Sequence, residues 1–234
     1  MSFAAIANDK LSYEDFHNGV QCLDDHDRAK DGLSVTMVNT RFYVQWKCNR
    51  SPLFYTPPML VRDAKLVRGQ GDAGSDGVND KCKYRLRLGT LPLESTPEEQ
   101  YILQSQQFVA DLRRLEEKVA TQMMKGASDW NFCSRLDAGE VMLSLALFQG
   151  QNGIPQVFSV FDYATGQELD PATNPVQQGD IVMVAWNPAY IYSAGGKGGL
   201  QCLFHEIIIV KRFADWRQAI DPEKRRAAFP QVSM

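Results

Sequence analysis

The chain has 234 residues, of which 44% are hydrophobic and 23% charged, and its formal net charge is −3. This length allows one large domain or two small ones with a full core, and the composition excludes wholesale disorder. No apolar run reaches the roughly 18 residues of a membrane span, and the N-terminus lacks the basic flank and apolar segment of a secretory signal. We therefore expect an intracellular protein, neither secreted nor attached to a membrane.

The charge is distributed unevenly. Residues 33–93 carry 10 basic and 4 acidic side chains, and residues 179–234 carry 7 and 5, whereas the two remaining segments are acidic. A polyanion responds to such a local surface and not to the net charge, so a nucleic-acid partner is compatible with it. The alternative is that solvated strand faces simply carry some charge.

Neither the cysteines nor the acidic residues form a metal motif. The five cysteines are scattered, odd in number and without a CxxC pair, which argues for reduced thiols and against both a disulfide framework and a zinc site. The acidic cluster at 24–28 surrounds His26 in adjacent positions, so we interpret it as a solvated loop or helix end. We expect no metal and no cofactor.

The first half of the chain predicts strands. Residues 33–47 alternate between apolar and polar side chains, with a bulge or bend near Asn39. The prolines of segment 51–58 make it an edge or a loop, and Met59 to Val67 forms the next strand before a glycine-rich loop at 69–77.

The clearest alternation runs from Lys81 to Leu88. Four cations share one face of this predicted strand, namely Lys81, Lys83, Arg85 and Arg87. Like charges on one face repel each other, so an anion lying over them would explain the pattern. Neighbouring carboxylates would explain it equally well, and the sequence leaves both explanations open.

Two helices are predicted in the middle of the chain. Thr96-Pro97-Glu98-Glu99 is a capping pattern that starts a helix ending near Lys125 and Gly126. Asp137-Ala138-Gly139-Glu140 repeats this logic for a shorter helix through Phe148. A strand from Val157 to Tyr163 follows.

The stretch from Gly179 to Arg212 predicts a long β-hairpin. Two β-branched runs flank the glycine-rich linker 195–199, with Tyr190 and Tyr192 on the first arm and Lys197 at the tip. Aromatic faces beside a basic tip suit a polymer of stacked bases and phosphates. The alternative is that these rings are buried in a core.

No pattern indicates catalysis. The GGKGG linker lacks the spacing and the Ser or Thr of a phosphate-binding loop, and there is no nucleophile elbow, HExxH or dinucleotide fingerprint. The three histidines, His17, His26 and His205, are isolated along the chain. We do not expect an enzyme.

The order of strands, basic loop, helical insert and closing hairpin fits an OB-type barrel. From Trp130-Asn131-Phe132 through Asp137-Ala138-Gly139-Glu140 to the hairpin, the chain resembles the OB-fold single-stranded DNA-binding proteins of nucleocytoplasmic large DNA viruses. These are distant relatives of the binding proteins of short-tailed phages. The positions that carry the likeness in the hairpin are Tyr190, Ile191, Tyr192, Gly199 and Val210.

The expected fold is mainly β with a helical insert, an α+β arrangement around an OB-like antiparallel barrel with a C-terminal β-hairpin. The expected organisation is an acidic segment at 1–32, a single domain at 33–212 with a helical insert at about 96–149, and a tail at 213–234. The resemblance implies a viral protein that binds single-stranded DNA, or RNA, without sequence preference in DNA replication, recombination or repair. Self-association as a homodimer and contacts with replication proteins are further expectations.

Two kinds of side chain are expected to contact the nucleic acid. Bases would stack on the exposed members of an aromatic set: Tyr43, Trp46, Tyr55, Trp186, Tyr190 and Tyr192. Phosphates would be neutralised by Lys81, Lys83, Arg85, Arg87 and Lys197. The alternatives are a structural virion or scaffold protein that self-associates through its barrel, and an enzyme with an unrecognised polar pocket.

Overall fold

The computed structural model describes residues 10–25, 32–38, 41–47, 52–68, 82–93, 98–124, 131–147, 158–194 and 197–217. These residues form three helices and twelve strands. In chain order they are α1 (Tyr13–Gln21), β1 (Leu33–Val38), β2 (Arg41–Trp46), β3 (Phe54–Tyr55), β4 (Met59–Arg68), β5 (Cys82–Gly89), α2 (Glu99–Met124), β6 (Asn131–Phe132), β7 (Leu136–Asp137), β8 (Glu140–Leu147), β9 (Ser159–Asp162), β10 (Glu168–Leu169), β11 (Ile181–Ala194), β12 (Lys197–Lys211) and α3 (Phe213–Arg217).

Five of the strands close a barrel. Strand β4 pairs antiparallel with β5 and β5 with β8, while β8 runs parallel to β12. Strand β12 pairs antiparallel with β11, and β11 returns to β4 through Ile181 opposite Leu60 and Val182 opposite Met59. This closed circuit confirms the predicted mainly-β, OB-like barrel with a helical insert and a C-terminal hairpin.

The β11–β12 hairpin extends the sheet beyond the barrel. After leaving β4, strand β11 pairs with β3 at Ala185 and Trp186 and then with β2, where Ile191 lies opposite Phe42. Among the described residues, strand β1 pairs only with β2 and ends the sheet on this side. On the other side β12 runs parallel to β9, and β10 ends the sheet. Where residues 33–47 predicted one bent strand, β1 and β2 form an antiparallel pair.

The core lies where both helices meet the hairpin. Trp186 is fully buried, and its ring centroid lies 5.2 Å from that of Phe16 on α1 and 5.5 Å from that of Phe108 on α2. Helix α1 starts at Ser12, whose side chain and that of Asp15 form a capping box. Although α1 belongs to the acidic segment 1–32, its apolar face packs into the same core as the barrel. None of the helices in the described ranges has the length and apolarity of a membrane span.

Helix α2 agrees with the first predicted helix, and its capping residues Thr96 and Pro97 lie outside the described residues.

The second predicted helix is wrong. Residues 137–147 instead contain a β-turn and strand β8, with Asp137 opposite Glu140. The two central turn residues, Ala138 and Gly139, have φ angles of 51° and 84°. Two positive φ angles in succession make a tight hairpin turn and exclude a helix start.

The positive φ of Gly179 coincides with a close approach to α3. Its φ is 92°, and a Cβ placed there would lie 2.6 Å from two ring carbons of Phe213. Gly139 also has a positive φ, but a Cβ there would meet nothing within 4 Å. We expect Gly179→Ala to lower the free energy of unfolding by about 1–3 kcal/mol more than Gly139→Ala, because only the former adds a steric clash to the backbone strain. Urea unfolding of both variants measures the difference, and equal losses would contradict the predicted clash.

Candidate nucleic-acid interface

Strand β5 presents arginines on the outside of the barrel. Leu86 and Leu88 are fully buried inside it, so the alternating positions Arg85 and Arg87 face outward. Lys83 belongs to the same strand, but only its backbone is among the described parts of the chain. Lys81 lies outside the described residues.

The two arginines differ in their charge partners. The Arg87 guanidinium lies 2.5 Å from a carboxylate oxygen of Asp137 and 3.3 Å from one of Glu140. Arg85 forms no ion pair with any described residue. Its neighbour on β4, Lys65, is paired with Asp63 at 2.6 Å. Neighbouring carboxylates therefore compensate the charge of Arg87, whereas Arg85 is a partly exposed cation without a carboxylate partner among the described residues.

On its other side Arg85 adjoins a chain of polar side chains. Ser144 on β8 lies opposite Arg85. The Gln201 side-chain amide donates to the Ser144 hydroxyl at 3.4 Å, and the Arg135 guanidinium donates to Gln201 Oε1 at 2.9 Å. Arg135 also donates to the Leu200 carbonyl at 2.7 Å. These groups connect β5 and β8 to the hairpin strand β12.

The strand register continues this row to the predicted aromatic positions. Gln201 lies opposite Tyr190 of β11. Because Ile191 lies opposite Phe42, the next antiparallel pair sets position 190 beside Tyr43 of β2. We call the five positions Tyr43, Tyr190, Gln201, Ser144 and Arg85 the outer row. They occupy five consecutive strands, and at about 4.8 Å between strands the row measures about 19 Å along the sheet.

Alternation places Tyr43, Gln201, Ser144 and Arg85 on the side of the sheet away from the core, and position 190 lies between Tyr43 and Gln201 in the strand register. The neighbouring residues Val44, Ile191, Leu200 and Leu143 are buried and belong to the core. The exposed Lys197 begins β12 and forms no ion pair with a described residue, and Tyr192 lies opposite Gly199 on the way to the hairpin tip. The tip itself, 195–196, and the loop 69–81 lie outside the described residues.

Two predicted stacking residues are buried and therefore do not belong to the exposed aromatic set. Trp186 lies in the core. Tyr55 is also buried, and its hydroxyl donates to Glu206. Trp46 is half-buried with its ring edge-on to Phe54, at 5.7 Å between centroids, and Lys47 Nζ lies 5.4 Å from its ring centroid. Of the six aromatic residues predicted to stack on bases, Tyr43 is the one in the outer row whose side chain is described. It is partly exposed.

A second surface lies around a cavity of about 340 Å³. Its lining includes Tyr55, Tyr101, Tyr163 and Lys10. The Lys10 ammonium lies 2.5 Å from a carboxylate oxygen of Glu206, which also accepts the Tyr55 hydroxyl, so its charge is compensated. Burial, reinforced by Glu206, raises the pKa of Tyr55 above its ordinary value. This cavity offers aromatic surface without an uncompensated cation among its described lining residues.

The described side chains give no catalytic arrangement or metal cluster. Among them, no group of three or more His, Cys, Asp or Glu could hold a metal ion. His17 is isolated in sequence, but its Nδ1 lies 2.9 Å from Asp111, which also accepts the Tyr13 hydroxyl at 3.2 Å. This contact joins α1 to α2. Burial raises the pKa of the Cys202 thiol, which disfavours the thiolate that a nucleophile requires.

A buried carboxylate on α2 is connected to the outer row through Arg135. Glu116 accepts the Ser134 hydroxyl and the Arg135 backbone N–H, both at 2.5 Å. The Arg135 side chain in turn contacts Gln201. Sequence analysis missed Arg135, Ser144 and Gln201, because their roles depend on pairings between distant segments. For Ser144, the alternation within residues 140–147 was an available signal.

Glu116 makes the stability of the fold depend on pH. Burial raises its pKa above the ordinary value of 4.5, against the opposing hydrogen bonds from Ser134 and Arg135. A raised folded-state pKa means that this contribution to stability is present below about pH 4.5 and is lost as the pH rises through the folded pKa. The glutamine side chain of the Glu116→Gln variant cannot ionise. We therefore expect its free energy of unfolding to fall less than that of wild type as the pH rises.

Urea unfolding at several pH values between about 4 and 7 measures this difference. Glu117→Gln is the matched control, because the exposed neighbour undergoes the same charge change without burial. Parallel profiles of wild type and Glu116→Gln would contradict the prediction.

Comparisons with known proteins give distant structural similarities. No family model matches the chain, and no curated protein matches it. The gp2.5 single-stranded DNA-binding protein encoded by bacteriophage T7 is 13% identical, with 72% of this chain and 97% of that chain covered and a TM-score of 0.45. The single-stranded DNA-binding protein from bacteriophage Enc34, in complex with single-stranded DNA, is 12% identical, with 76% and 93% covered and a TM-score of 0.40.

A C-terminal truncation of the Enc34 protein is 13% identical, with 68% and 84% covered and a TM-score of 0.39. All three structures come from bacteriophages, and at TM-scores below 0.5 they assign the chain to no family.

Proposed function

We propose that this protein binds single-stranded DNA without sequence preference and without catalysis, in DNA replication, recombination or repair. The observation that carries the proposal is the outer row, which joins an aromatic position at one end to an arginine at the other that has no carboxylate partner among the described residues. The bound strand would cross β2, β11, β12, β8 and β5 on the outside of the sheet.

The arginine end supplies the electrostatic attraction. Arg85 has no carboxylate partner among the described residues, so a phosphate is a favourable counter-charge for it. Lys83 belongs to the same strand β5, and the exposed Lys197 lies at the start of β12. Cations of this kind bind phosphates of any sequence.

The aromatic end supplies surface on which bases can stack. Tyr43 is partly exposed beside position 190, and Tyr192 follows two residues along β11. Stacking tolerates every base, because each base has a π-face. Between the two ends, the Gln201 amide and the Ser144 hydroxyl can exchange hydrogen bonds with the sugar–phosphate backbone.

The position of the outer row within the fold also supports the proposal. Counted along the barrel, β5 and β8 are its second and third strands. In OB folds the outer face of these strands, with the loops between strands one and two and between strands four and five, binds oligonucleotides. In this chain the corresponding segments are 69–81 and 195–196, which lie outside the described residues.

The salt dependence of binding tests the proposal. We expect the affinity for labelled oligo-dT, measured by fluorescence anisotropy, to fall as the salt concentration rises, because each phosphate contact releases a counterion. Arg85→Ala is expected to reduce the slope of log K against log salt by about 0.7, the value for one contact on a single strand. Arg87→Ala is the matched control, since its charge already has carboxylate partners.

Affinity that does not change with salt, or equal effects of the two arginine variants, would contradict the proposal. A scaffold protein would instead form large assemblies without DNA and be indifferent to both substitutions.

A tyrosine series tests the aromatic end. We expect Tyr43→Ala to weaken oligo-dT binding by roughly 1–3 kcal/mol, and Tyr43→Phe to preserve it, because stacking needs the ring and not the hydroxyl. Tyr163→Ala is the control, since this exposed ring lies at the cavity and not in the outer row. Equal losses for Tyr43→Ala and Tyr163→Ala would place the bound strand elsewhere.

A further inference from the structure

Strand β1 presents an open edge of the sheet. It pairs with β2 over six consecutive residues, from Leu33 opposite Trp46 to Val38 opposite Arg41, without a register shift. In the described part of the chain no other strand pairs with it. Among the described residues, the backbone groups on its other side have no strand partner, and such groups can pair with a further strand.

This edge lacks the features that normally protect an open strand from pairing. Its sequence, LSVTMV, contains no charged residue and no proline. The opposite edge of the same sheet is protected in three ways: β10 has only two residues, one of them is Glu168, and Pro171 follows closely. The contrast lies within one sheet, so it does not reflect the general composition of the protein.

The packing beneath β1 holds the edge in a fixed orientation. Leu33 is fully buried, and Val35 packs against the core. Because the inward positions are fixed by this packing, a slip by one residue would expose them. The open edge thus belongs to a strand whose register is set by its buried side chains.

An unsatisfied polar atom lies on the same strand. The hydroxyl oxygen of Thr36 is buried and has no hydrogen-bond partner among the described residues. Thr36 lies opposite Tyr43 on one side and next to the open edge on the other. Cross-strand Thr–Thr and Thr–Ser pairs form hydrogen bonds in antiparallel sheets, so a strand bearing Ser or Thr on this edge would satisfy the atom.

We propose that a second copy of this chain pairs along β1, antiparallel, about a two-fold axis. The segment is uncharged, so two copies meet without like-charge repulsion, and each brings Ser34 and Thr36 to the other. The pairing joins the two sheets into one and sets both outer faces on the same side. An interface formed mainly by one strand is small, so we expect a monomer–dimer equilibrium and not a permanent dimer. The inference does not rest on DNA binding.

Light scattering without DNA, over a wide range of protein concentration, tests this proposal. We expect the molar mass to rise from the chain value of 26.3 kDa toward twice that value as the concentration increases. Ser34→Lys adds a charge on the open edge and is expected to keep the mass at the monomer value at all concentrations. Gln45→Lys is the matched control, because Gln45 lies opposite Ser34 on the inner neighbour β2 and receives the same charge one strand away from the edge.

A wild-type protein that stays monomeric throughout would overturn the proposal. So would a dimer that Ser34→Lys and Gln45→Lys weaken equally, or that neither weakens, because the interface would then lie elsewhere. Thermal unfolding of both variants separates loss of pairing from loss of folding. Hydrogen exchange gives a second measurement: β1 amides are expected to gain protection with concentration in wild type and not in Ser34→Lys.

Discussion

The pairing of β11 with β12 is the constraint on which the rest of the structure depends. The two strands are 14 and 15 residues long, and they belong both to the closed barrel and to the sheet beyond it. At one end β11 closes the barrel through Ile181 and Val182, and at the other it meets β2 at Ile191. Because one hairpin serves both parts, the sheet of the barrel continues through β11 onto β2. That continuity is what brings Tyr43 and Arg85 onto one surface.

Charge compensation then determines which cations remain available. Arg87 contacts Asp137 and Glu140, and Lys10 contacts Glu206, so each of these charges is satisfied within the fold. Arg85 belongs to the same strand as Arg87, but its cross-strand neighbours are a lysine and a serine and not carboxylates. A cation in that setting favours an external anion. Sequence-independent binding requires no more than such charges and accessible rings.

Local patterns were sufficient to predict much of the fold. The alternation at 82–88, helix α2 and the glycine-interrupted hairpin are each encoded within a short stretch, and each is confirmed. The predicted helix at 137–148 failed because a capping pattern and a tight turn both favour small and acidic residues, and only the φ angles of Ala138 and Gly139 distinguish them. The outer row could not be predicted, because the contact of Gln201 with Ser144 joins segments 57 residues apart. Likewise, only the tertiary packing shows that Trp186 is core and Tyr43 is not.

Ultraviolet cross-linking of oligo-dT to the wild-type protein, followed by mass spectrometry of the linked peptides, tests the central claim most directly. A strand lying across the outer row predicts cross-links to peptides that contain Tyr43 and the 190–197 stretch of the hairpin. Cross-links confined to Tyr101 and Tyr163, which line the cavity on the second surface, would contradict it.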